Sequence, residues 1–213
     1  MSLLLPVLVR GINNLSDARY CAGMGADGLI FTLDPSLPGA VTPELIRELA
    51  GWVSGVELIG EFTPATPYPA INELVQTCGL SRVLLLYDEP YAVEFFKPAL
   101  LAVPVIVEVS PEIIFDAYER DAMTSGLASH FPAGFGLAIE ADSFLPNQGS
   151  YQEAARPTSR PSLWLSGQLT PNTALQSIGL GLAGLILPGG DEIKPGLRDF
   201  TELEAIFEAL EAD

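Results

Sequence analysis

Short runs of leucine and β-branched residues alternate with segments of helical hydrophobic period along the whole chain. Strands covered on both faces read as nearly continuous apolar runs, and the helices that cover them read as amphipathic. Eight such runs predict strands at about 4–9, 28–33, 56–62, 82–87, 103–109, 135–140, 162–166 and 184–187, with boundaries good to about 2–4 residues. Eight strands joined by crossover helices predict an α/β fold, a closed (β/α)8 barrel. Helix starts are marked by a capping residue, in most cases followed by proline: Asn14-Leu15-Ser16-Asp17, Thr42-Pro43, Thr66-Pro67, Ser110-Pro111, Thr170-Pro171 and Phe200-Thr201. The sixth unit is degenerate. Segment 142–161 carries Pro146, Asn147, Gly149, Pro157 and Pro161 with little apolar period, which predicts a short helix or an irregular loop.

Composition narrows the setting. The 213 residues, 48% hydrophobic, suffice for one full core, so residues 1–213 are expected to form a single domain. A net charge of −17 opposes nucleic acid and anionic membrane surfaces as partners, because both require clustered Lys and Arg. The opening apolar run stops at Arg10, lacks a basic segment before it and is too short to span a bilayer, so it reads as a buried strand. Cys21 and Cys78 lack metal-ligand spacing and a disulfide framework, which fits a reducing cytoplasm, and no cofactor or metal is expected. Both cysteines read as core residues, and the only histidine, His130, falls in the connection before the sixth strand. Asp88-Glu89 reads as an acidic helix start rather than a metal pair.

Strand parity then selects candidate chemistry, since alternate side chains face the barrel interior. In 135–140, Gly136, Ala138 and Glu140 face inward, so Glu140 points into the mouth. Arg10 shares its face with Leu8 and Glu108 shares its face with Ile106, with Glu61 a further inward carboxylate. A guanidinium in such a place requires a carboxylate, which predicts an ion pair of Arg10 with Glu140 or Glu108 across the mouth. Glu140 and Glu108 are also the candidate catalytic acid and base. Two strand–glycine–helix turns close the chain, at Ser166-Gly167-Gln168 and Pro188-Gly189-Gly190. Loops after the last two strands of such barrels commonly bind phosphate, which makes Gly167, Gln168, Gly189 and Gly190 candidate ligand contacts.

Several of these segments resemble the phosphoribosylanthranilate isomerase family, single-domain barrels of tryptophan biosynthesis that carry out an Amadori rearrangement. Residues 8–18, Leu-Val-Arg-Gly-Ile-Asn-Asn-Leu-Ser-Asp-Ala, are similar to the family's Lys-x-Cys-Gly-Ile-Thr-x-x-x-Asp-Ala motif. Asp34–Glu44 is similar to its Pro-x-Ser-Pro-Arg-x-Val-x-Pro-Glu segment, and 165–172 and 195–199 are similar to its Gly-Gly-Leu-x-Pro-x-Asn and Pro-Gly-x-Lys-Asp elements. The resemblance implies isomerase chemistry on a small phosphorylated ligand, with the family's general acid carried over to Glu140. It implies either a monomer or a homodimer.

The functional positions depart from the family. Arg10 stands where the resemblance places the general-base cysteine, and an arginine cannot deprotonate in a protein. Leu8 replaces a lysine, Gly39 replaces a substrate-binding arginine, and Ala141–Pro146 holds no glycine-rich run. These departures predict a barrel without the Amadori activity that binds a small phosphorylated ligand at its C-terminal face. Two alternatives stay open: an isomerase or lyase on a sugar-like substrate using Glu140, with Glu108 or Asp142 as its partner, and a non-catalytic interaction protein.

Overall fold

The computed structural model describes residues 2–86, 101–111, 115–147, 162–194 and 197–212. Eight parallel strands close into a barrel in sequence order: β1 (Val7–Arg10), β2 (Gly28–Thr32), β3 (Glu57–Phe62), β4 (Arg82–Leu86), β5 (Val105–Glu108), β6 (Phe135–Glu140), β7 (Ser162–Ser166) and β8 (Gly184–Pro188). The expected α/β barrel is thus the fold. β8 closes on β1 through the register Val7↔Leu185 to Arg10↔Pro188. The helices described around it are α1 (Leu15–Met24), α2 (Pro43–Ala50), α3 (Tyr68–Cys78), α4 (Ala117–His130), α5 (Ala141–Phe144), α6 (Pro171–Ser177) and α7 (Thr201–Leu210). None of the described helices is long and apolar enough to cross a membrane.

The strands are apolar on both faces because each face has its own core. One side chain per strand fills the interior, and the eight form a single apolar cluster.

 In strand order these eight are Leu8, Ile30, Ile59, Leu84, Ile106, Ala138, Trp164 and Ile186. Their neighbours, among them Val7, Val9, Leu29, Phe31, Val83, Val105, Leu137 and Leu165, pack outward under the helices. Trp164 is the bulkiest of the interior set, and Gly136, Ala138 and Gly184 beside it leave the space its indole fills. A Cβ on Gly184 would lie 2.6 Å from the Trp164 ring and 2.4 Å from the Pro6 carbonyl oxygen. Below Trp164, Arg82 lies 5.4 Å from the ring centroid and pairs with Glu57, closing the N-terminal end of the barrel.

Helix starts follow the capping signals closely. Asn14 accepts from Asp17 N, Thr42 from Leu45 N, and Thr170 forms a reciprocal capping box with Thr173. Helix α3 begins one residue later than the Thr66-Pro67 signal suggests, with Pro67 at its cap, because the Thr66 hydroxyl donates instead to Asp34. The sixth unit is short: α5 has four residues and passes into a 3-10 turn at Leu145–Asn147. Residues 148–161 and Asp88-Glu89 lie outside the described residues.

The region after β8 differs from expectation. Instead of running directly into a helix, the chain forms an antiparallel hairpin, β9 (Asp191–Lys194) with β10 (Leu197–Asp199), before α7. Gly190 lets this hairpin start, since a Cβ there would lie 1.9 Å from the Asp199 carbonyl oxygen. Arg198 from β10 reaches back to the buried Asp17 of α1, Nε to Oδ2 at 3.0 Å, and its Nη1 donates to the Gly190 carbonyl at 3.2 Å. The hairpin is therefore pinned across the β8–β1 seam.

The space around Trp164 generates a prediction. Gly184→Ala is expected to destabilise the chain by about 1–3 kcal/mol through overpacking. Gly23→Ala, on the exposed face of α1 with open space around it, is expected to stabilise by about 0.5–1 kcal/mol. Urea unfolding midpoints of the two variants check both signs.

Candidate functional site

Inward parity brings a polar layer to the C-terminal end of the barrel, immediately above the apolar interior. Arg10 ends β1, Thr32 ends β2, Glu61 lies on β3, Glu108 ends β5 and Ser166 ends β7. The Arg10 guanidinium joins them. Its Nε donates to Glu61 Oε1 at 2.9 Å and its Nη2 donates to the same oxygen. Its Nη1 lies 3.2 Å from Glu108 Oε2 and 3.4 Å from Glu108 Oε1. Thr32 Oγ1 donates to Glu61 Oε2 at 2.9 Å, and Ser166 Oγ donates to Glu108 Oε1 at 2.7 Å. Five strands are thus tied by one chain of hydrogen bonds. Burial alone would lower the Arg10 pKa, but its hydrogen bond to Glu61 and the charges of Glu108 and Glu61 raise it, so the group is a fixed cation.

The expected partners of Arg10 need correction. Glu108 is one, but the shorter contacts go to Glu61, and Glu140 is not among its partners. Glu140 is exposed at the rim, where its Cγ lies 3.5 Å from the position a Cβ on Gly167 would take. Glu61 is 3% exposed, and its two oxygens are met by the Arg10 guanidinium and the Thr32 hydroxyl. Thr32 and Ser166 escaped the sequence reading, although both share the inward parity of Ile30 and Trp164.

Above this layer lies a cavity of about 410 Å³ lined by Arg10, Leu86, Glu108, Val109, Ser110, Pro111, Glu140, Ser166 and Gly167. Glu108 and Glu140, the two candidate catalytic carboxylates, therefore share one cavity. Asp142 is exposed in the first turn of α5. A second cavity, of about 210 Å³, lies beside the hairpin against Gln168, Leu169, Gly189, Gly190, Ile193, Asp199 and Glu202.

The glycine turns commit part of their backbone to the barrel itself. Gly167 N donates to the Ile186 carbonyl at 3.1 Å and Gly189 N donates to the Arg10 carbonyl at 2.8 Å. At the start of α7, Asp199 Oδ1 accepts from Thr201 N at 2.9 Å and Thr201 Oγ1 at 2.6 Å, so the chain supplies its own carboxylate to that helix N-terminus. An anion at these turns would depend on the amides of Gln168 and Gly190.

The remaining candidates lie away from the mouth. Cys21 is buried on α1, and burial together with the Asp17 charge pushes its pKa up to about 12, which leaves a neutral thiol. Cys78 is buried at the end of α3, where burial raises its pKa as well. His130 is the last residue of α4, at the opposite end of the barrel from the mouth, with Nδ1 2.6 Å from the Gly126 carbonyl. Among the described residues no group of three or more His, Cys, Asp or Glu is placed to hold a metal ion.

Asp34 organises the loops beside the mouth. It is buried and accepts from Ser36 N at 2.9 Å, Ser36 Oγ at 2.6 Å, Thr63 N at 3.2 Å, Thr66 Oγ1 at 2.9 Å and the Thr63 hydroxyl. Burial alone would raise its pKa, but the hydrogen bonds from Ser36, Thr63 and Thr66 outweigh it and hold the carboxyl well below the usual carboxylate range. Its contribution to stability is therefore present above the unfolded-state value of about 4 and is lost as pH falls below it toward the folded value. Asp34→Asn is expected to lower the melting temperature at pH 7 and to flatten the acid limb of stability below about pH 4, as thermal unfolding across pH 2–7 would show.

No protein-family model matches the chain. Curated relatives do. An N-(5'-phosphoribosyl)anthranilate isomerase of Chlorobium phaeobacteroides is 27% identical over 226 residues, covering 97% of this chain and 98% of that one. One from Gloeothece citriformis is 28% identical over 216 residues, covering 96% and 93%. Among solved structures, the phosphoribosyl anthranilate isomerase of Thermotoga maritima superposes with a TM-score of 0.71 at 19% identity, over 97% of this chain and 98% of that one. A phosphoribosyl anthranilate isomerase in complex with reduced 1-(o-carboxyphenylamino)-1-deoxyribulose 5-phosphate superposes with a TM-score of 0.70 at 20% identity, over the same shares of the two chains. In sequence along nearly its whole length, and in its barrel, the chain resembles the phosphoribosylanthranilate isomerases.

Proposed function

We propose that this chain is a divergent phosphoribosylanthranilate isomerase-like barrel that binds a small ligand at its C-terminal face and does not carry out the Amadori rearrangement. The observation that carries the reading is the state of Arg10. It stands at the position where the resemblance places the general-base cysteine, and it is held as a cation between Glu61 and Glu108. A group in that state takes no proton from a sugar carbon. Neither buried cysteine substitutes for it, because both are neutral and lie on the helix layer. The mouth cavity supports the ligand-binding part, since barrels of this kind place their ligands at the C-terminal ends of the strands.

A second reading rests on Glu140. It is an exposed carboxylate on the cavity wall that shares the cavity with Glu108, and it stands where the resemblance places the general acid. As an acid/base it would serve isomerase or lyase chemistry on a sugar-like substrate, with Glu108 as its partner.

Complementation separates the two. In a tryptophan auxotroph lacking the isomerase, the wild-type gene is expected to give no growth on minimal medium. Growth on the wild-type gene that Glu140→Gln abolishes would overturn the proposal and establish the second reading.

A further inference from the structure

We draw no further inference here: the strongest candidate, the cavity of about 210 Å³ beside the β9–β10 hairpin with Leu169, Leu187, Ile193, Leu203 and Ile206 in its walls, carries nothing because no observation among the described residues shows what covers it.

Discussion

The mouth of this barrel depends on one buried charge and what it demands. Glu61 lies almost wholly out of water, and its carboxyl group is met by Arg10 on one oxygen and Thr32 on the other. Because Arg10 also reaches Glu108, and Glu108 takes the Ser166 hydroxyl, the same requirement links β1, β2, β3, β5 and β7. Removing one partner from such an arrangement strands the others in a low-dielectric setting, which is why buried pairs are costly to break even where they add little net stability. The layer is thus a plug beneath the mouth cavity as much as a part of its wall.

The same logic governs the rest of the C-terminal face. Backbone donors that would form an anion cradle are drawn into closing the barrel: Gly189 N to Arg10 and Gly167 N to Ile186. Asp199 takes the first donors of α7, and the hairpin held by Arg198 covers the seam between β8 and β1. Glycines at these turns are explained by close backbone approach, as at Gly190 against Asp199, without any ligand. Similarity of fold to other barrels therefore does not by itself make these turns a phosphate site.

Much of the barrel was legible in the sequence, because strands buried on both faces announce themselves as short apolar runs and helix starts carry their caps. Parity along β1, β3 and β5 correctly turned Arg10, Glu61 and Glu108 inward. The partner of Arg10 was not legible, since the residue that meets it across the mouth is set by the stagger of the whole barrel and not by any local pattern. That stagger delivers Glu61 to the guanidinium and leaves Glu140 at the rim. The hairpin was hidden because β9 and β10 are only four and three residues long, too short for a two-residue period to show. Nor could sequence reveal that the turn amides are spent internally, because a glycine reads the same whether its N–H faces a ligand or a neighbouring strand.

The account stands on the coupling between Arg10 and Glu61, and a double-mutant cycle of Arg10→Met and Glu61→Gln, read by urea unfolding, measures it directly. Each single substitution is expected to cost about 3–5 kcal/mol by stranding a buried charge. The double substitution is expected to cost less than their sum by at least about 1.5 kcal/mol. Single substitutions that each cost less than about 1 kcal/mol and simply add would contradict the claim that this ion pair organises the mouth.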